Sequence, residues 1–146
     1  MKANSALATL DRAVGRWMVT GSHPYFPGRT LRGRVTFERI EGGAFLRMHS
    51  KMEDPEFPEG VAIFGTDDDE QTCTMLYFDE RGVARTYDVA IDADGFTWSR
   101  EVPQFAQRFR VTIAKDGRTM ESEGTMRKAG STWEPDLRLS YVRVDP

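Results

Sequence analysis

Val83-Ala84-Arg85-Thr86-Tyr87-Asp88-Val89-Ala90-Ile91, followed by Asp92-Ala93-Asp94-Gly95 and then Phe96-Thr97-Trp98-Ser99-Arg100, is the stretch that decides the fold. Successive side chains of an extended chain point to opposite faces, so Val83, Arg85, Tyr87, Val89 and Ile91 share one side and Ala84, Thr86, Asp88 and Ala90 the other. The Asp-Ala-Asp-Gly link is too short for a crossover helix and carries residues that turn a hairpin. The two runs therefore read as antiparallel neighbours with one apolar face.

The same pattern continues in both directions. Ten such runs lie near 15–21, 32–41, 43–53, 61–67, 72–79, 82–91, 95–101, 105–115, 118–128 and 132–144. Links such as Glu41-Gly42-Gly43 and Lys115-Asp116-Gly117 are again hairpin-sized. An open meander leaves two exposed strand edges, and closure removes them. The expected fold is mainly β, a closed up-and-down antiparallel β-barrel of about ten strands, with 1–146 as one domain. A short helix precedes it, capped by Ser5, with Leu7, Leu10 and Val14 on one face and Gly15 as its stop.

Up-and-down order sorts the connections by end. The first and third fall together and are long: Gly21-Ser22-His23-Pro24-Tyr25-Phe26-Pro27-Gly28 and Glu53-Asp54-Pro55-Glu56-Phe57-Pro58-Glu59-Gly60. The helix and tight turns fall at the other end. One end is expected to be plugged and the other adaptable, with Tyr25, Phe26 and Phe57 either exposed for binding or folded back on the rim.

Composition limits the function classes. Hydrophobic residues make up 39% of 146, enough for one core without disulfides or a structural metal. Net charge is -3, a poor match to a phosphate backbone, so no nucleic-acid partner is expected. No apolar run approaches the roughly 20 residues that span a bilayer. Asp11 and Arg12 interrupt any signal-like start, and the single cysteine, Cys73, suits a reducing compartment; the expected location is cytoplasmic.

Alternation then selects the lining. Besides the strand-six set, the inward residues are Phe96, Trp98 and Arg100; Phe105, Gln107, Phe109, Val111 and Ile113; Met120, Ser122 and Met126; and Trp133, Leu137, Leu139, Tyr141 and Arg143. Such an interior suits a small hydrophobic molecule with a polar or anionic head. Arg85 is the sharpest candidate for that head, because a guanidinium in an apolar cavity needs a carboxylate, water or a ligand anion. The candidate ligand-binding residues are Arg85, Tyr87, Trp98, Gln107, Phe109, Ser122 and Tyr141 inside the barrel and His23 in the first long loop.

Gly15-Arg16-Trp17, directly after a short helix, resembles the Gly-x-Trp opening of lipocalins and related calycins. Gly42-Gly43-Ala44-Phe45-Leu46 and Tyr77-Phe78-Asp79-Glu80-Arg81-Gly82-Val83-Ala84-Arg85 resemble a bacterial domain family of unknown function placed with lipocalin-like barrels. The resemblance implies a closed barrel around a small hydrophobic ligand, and a basic residue of a late strand, here Arg143, covering Trp17. It departs from secreted lipocalins in having one cysteine. It departs from nitrobindin-like barrels, which bind haem through a late-strand histidine, because His23 and His49 both precede residue 50.

Other chemistry is thinner. His49 shares a face with Phe45, Arg47 and Lys51 and reads as solvent-facing. The segment 90–101 matches a calcium loop only in part and reads as a hairpin turn; Asp67-Asp68-Asp69-Glu70 reads as a charged turn. Cys73 has no local base to activate it. No catalytic or metal-ligating constellation emerges, so the leading expectation is a binding module rather than an enzyme. Alternatives are a haem or redox barrel with His23 as axial ligand, a small enzyme using the cavity, and a homodimer formed through an outer sheet face.

Overall fold

The computed structural model describes residues 1–69 and 71–144. Its strands are β1 (Gly15–Ser22), β2 (Leu31–Ile40), β3 (Phe45–Met52), β4 (Gly60–Thr66), β5 (Cys73–Asp79), β6 (Ala84–Asp92), β7 (Gly95–Val102), β8 (Phe105–Ile113), β9 (Thr119–Lys128) and β10 (Glu134–Val144). Each runs antiparallel to its sequence neighbours, and β1 pairs with β10 to close the barrel. The expected strands are all present, shifted at their ends by no more than two residues. Glu70 of the acidic turn lies outside the described residues.

The expected N-terminal helix is present, with a different inner face and a different cap. Ser5–Ala13 is a 3-10 helix, and its buried residues Leu7, Leu10 and Ala13 recur every third position, the period that eclipses side chains in this helix. Its cap is Asn4, not Ser5: Asn4 Oδ1 accepts the Ala6 N–H at 3.0 Å, while Asn4 Nδ2 donates to Thr66 Oγ1 at 2.8 Å. Leu7 and Leu10 thereby plug one end of the barrel, packed in one core with Trp17, Phe37, Phe64, Phe96 and Met120.

Arg143 fastens that plug. It is the register partner of Trp17, and its guanidinium lies 4.3 Å from the indole ring. The same group donates to Val14 O at 2.6 Å, Arg12 O at 2.8 Å and Gly117 O at 2.9 Å. A Cβ on residue 15 would sit 2.3 Å from Arg143 Nη1, and φ there is +136°, so glycine is required twice over. The expected cover over Trp17 is present.

The last strand corrects one inward assignment. Between Pro135 and Arg138 the β9–β10 register shifts, so Asp136 and Leu137 both face Gly124 across the pair. The extra residue reverses the alternation above it. Trp133 is consequently outside, held between Arg108 at 4.0 Å and Arg127 at 5.0 Å, rather than in the lumen as the unbroken period predicts.

Candidate functional site

Above the plug the inward side chains do not meet, and a cavity of about 250 Å³ remains. Its walls are chiefly apolar: Val35, Phe37, Met48, Met52, Met75 and Leu139 face Phe96 and Val111. The volume is just below the ~300–1,000 Å³ of pockets that enclose drug-sized ligands. Space of that size fits a small guest, or a longer one with its head at the mouth.

All eight candidate residues line this space: His23, Arg85, Tyr87, Trp98, Gln107, Phe109, Ser122 and Tyr141. Trp98 and Phe109 stack nearly parallel, 4.1 Å between centroids and 8° between planes, and Tyr87 meets Trp98 edge-on at 4.8 Å. The stack is possible because β9 carries Gly124 opposite Phe109: a Cβ there would lie 2.4 Å from the ring. These three rings form one wall.

A polar chain crosses the mouth. Tyr87 donates its hydroxyl to Gln107 Oε1 at 2.9 Å, and Gln107 Nε2 donates to Asp136 Oδ2 at 2.9 Å. Asp136 Oδ1 accepts from the Leu137 N–H at 2.7 Å and lies 3.0 Å from His23 Nε2. The backbone N–H of Tyr25 donates to His23 Nδ1 at 3.1 Å, which leaves Nε2 as the protonated nitrogen that donates to Asp136. The carboxylate, 8% exposed, thus has three donors and is compensated in place. An unbroken period of two turns Asp136 outward, and only the bulge brings it in; the signal in the sequence is Pro135, a residue that central strands exclude.

Arg85 enters near the open end of β6. Its Nη1 is a marginal 3.5 Å from the Tyr87 hydroxyl and its Cζ 5.9 Å from the Phe105 ring, and it has no carboxylate partner among the described residues. The neighbouring cavity arginine, Arg81, is committed: Asp79 Oδ2 accepts from its Nη2 at 2.7 Å and from the Tyr77 hydroxyl at 2.7 Å. The Arg81 hydrogen bond, then that of Tyr77, holds the Asp79 carboxyl well below the usual carboxylate range. Arg100, also expected inside, is half-buried but does not line the cavity.

The long loops fold over this end. Phe26 and Phe57 pack 5.5 Å apart, and His23 lies 5.9 Å and 6.1 Å from them. Arg29 joins the loops through Asp54. Tyr25 is 49% exposed yet tied by its hydroxyl to Glu134 at 2.8 Å. Phe26 and Phe57 therefore follow the rim-packing alternative while Tyr25 stays exposed, and Phe57 alone of the three lines the cavity.

The remaining chemistry is accounted for by local partners. His49 lies outside, 2.7 Å from Glu59. Burial pushes the Cys73 thiol up to about 11, which makes it a poor nucleophile. In the turn that partly matches a calcium loop, Asp92 accepts the N–H groups of Asp94 and Gly95 and pairs with Arg110, as a hairpin turn does. Haem ligation through His23 does not fit: both imidazole nitrogens already serve hydrogen bonds, one to Asp136 and one from its own loop. No helix among the described residues is long and apolar enough to cross a membrane.

No family model matches the chain, and no curated protein matches it significantly. Solved structures do match in shape. Rv2717c from M. tuberculosis superposes with a TM-score of 0.70 at 14% identity, over 98% of this chain and 99% of that one. The S-type phycobiliprotein lyase CPES from Guillardia theta superposes with a TM-score of 0.63 at 12% identity, over 95% and 92%. At such low identity the likeness concerns the fold, and with the closed ten-stranded barrel it fits a calycin-like architecture.

Proposed function

We propose that this barrel, acting as one 146-residue unit in the cytoplasm, binds a small, mainly hydrophobic molecule through an anionic head held by Arg85. The carrying observation is the pairing of the charged groups in the cavity: Asp136 is taken up by His23, Gln107 and the Leu137 N–H, Arg81 is paired with Asp79, and the half-buried Arg85 guanidinium has no carboxylate partner among the described residues. Burying a cation in that way is costly, and a ligand carboxylate relieves the cost. Trp98, Phe109 and Tyr87 supply the flat apolar wall. Gln107 and Tyr87 are held in orientation by Asp136 and His23, so the polar mouth is set before a ligand arrives.

Trp98 is a built-in reporter, since Trp17 is sealed in the plugged end and Trp133 lies outside. Titrating linear carboxylic acids from hexanoate to dodecanoate should change its emission. Arg85→Ala should weaken the best acid by at least about tenfold, the value of a charged hydrogen bond. Equal affinity of the variant, or equal binding of the matching alcohols, would remove Arg85 as the head-group contact.

A further inference from the structure

The polar side chains of the cavity divide into those that have partners and those that do not. His23, Asp136, Gln107 and Tyr87 bond to one another, and Tyr77 and Arg81 bond to Asp79. Apart from Arg85, the half-buried Ser50 and the Trp98 indole N–H, that leaves two hydroxyls. Tyr141 is 7% and Ser122 is 4% exposed, and neither hydroxyl has a hydrogen-bond partner among the described residues. Among the described residues every fully buried side-chain nitrogen or oxygen is paired, so these two unpaired hydroxyls are not sealed in the wall, and both residues line the cavity.

Their position separates them from the head group. Arg85 is the second residue of β6 below the open end, whereas Tyr141 pairs in register with Val19 and Met120 and sets its ring edge against Trp17, in the plugged half. Ser122 is the register partner of Leu139, two residues from Tyr141 on the same inner face, so both hydroxyls border one stretch of floor. Burial keeps the Tyr141 phenol well above its ordinary range, so it stays a neutral group that can both donate and accept.

We propose that this floor is a second polar subsite, formed by the Tyr141 and Ser122 hydroxyls, and that the guest is polar at both ends: a carboxylate at Arg85 and a hydroxyl or carbonyl at its inner end, joined by an apolar body. The proposal rests on the anionic-head reading and narrows its ligand class from plain fatty acids to hydroxy- or oxo-acids. The sign of the effect distinguishes the two. An apolar floor penalises a terminal hydroxyl by its desolvation, whereas a floor with waiting hydroxyls rewards it and penalises a bare methyl.

The test is calorimetric titration with alkanoates from hexanoate to dodecanoate and with their ω-hydroxy counterparts. At the chain length that spans the cavity, the hydroxy acid should bind about five- to tenfold tighter than the plain acid. Tyr141→Phe and Ser122→Ala, both mild changes, should each shrink that advantage while leaving the plain acid equally or more tightly bound. If hydroxy acids bind no better at any length while Arg85→Ala still weakens the plain acids, the floor subsite falls and the anionic head stands. If neither series binds the wild-type protein, both fall together.

Discussion

At the plugged end of the barrel the inward arginine, Arg143, meets protein acceptors with each of its donor nitrogens; at the open end Arg85 meets no carboxylate among the described residues. Arg143 and Arg85 are both half-buried arginines on inward-facing positions, but Arg143 spends its donors on three backbone carbonyls and its charge on the Trp17 ring. Arg85 has one marginal contact to a tyrosine hydroxyl and a distant ring. The difference shows how to tell a structural arginine from one kept for a guest: not by burial, which the two share, but by whether the fold itself satisfies the charge.

The contrast breaks most easily with tryptophans. Trp17 is 1% exposed within the plugged core, whereas Trp98 borders the cavity. Trp17→Ala should cost about 3–5 kcal/mol and lower the melting temperature by roughly 10 °C. Trp98→Ala should cost about half as much in a urea titration, since part of the space it vacates is already open. Equal losses would mean that the upper half is as tightly packed as the lower and that the cavity is not a stable feature.

The polar chain gives a smaller effect. Asp136→Asn keeps the shape but offers one acceptor oxygen where His23 and Gln107 now each donate to a carboxylate oxygen. The loss should be about 1–3 kcal/mol by urea unfolding, with weaker acid binding because Gln107 and Tyr87 lose their fixed orientation. Unchanged stability would show the chain to be incidental to the open end.

The barrel was legible because period two survives in nine of the strands, and a period of two both names the strand and selects its inner face. It failed in β10, where one added residue around Pro135 and Asp136 moved Trp133 out and Asp136 in. That error is instructive: the bulge supplies the carboxylate that organises the mouth, so the place where the pattern breaks is also where the candidate site is most specialised. The N-terminal helix was legible too, but not its 3-10 period, because Leu7 and Leu10 suit both helical periods and only the burial of Ala13 separates them. Nothing in residue order told whether Phe26 and Phe57 would face solvent, since their contact joins two loops that are distant in the chain.

The smallest effect concerns pH and the second arginine of the open end. Asp79 is sealed from solvent and held by Arg81 and Tyr77, and its carboxyl lies well below the ordinary carboxylate value in the folded chain. In the unfolded chain it returns to the ordinary value near 4. Between those two values the unfolded chain takes up a proton that the folded chain refuses, so acidification draws the equilibrium toward unfolding. The stabilisation is therefore complete above the ordinary value and lost as pH falls toward the folded one. At pH 7, Asp79→Asn should cost about 1–2 kcal/mol, and the gap between variant and wild type should narrow steadily below about pH 4. Urea titrations from pH 7 to pH 3 would measure it. A gap that stays constant with pH would mean that Arg81 is held by packing rather than by charge, and Arg81 would then rival Arg85 as a cation available to the ligand.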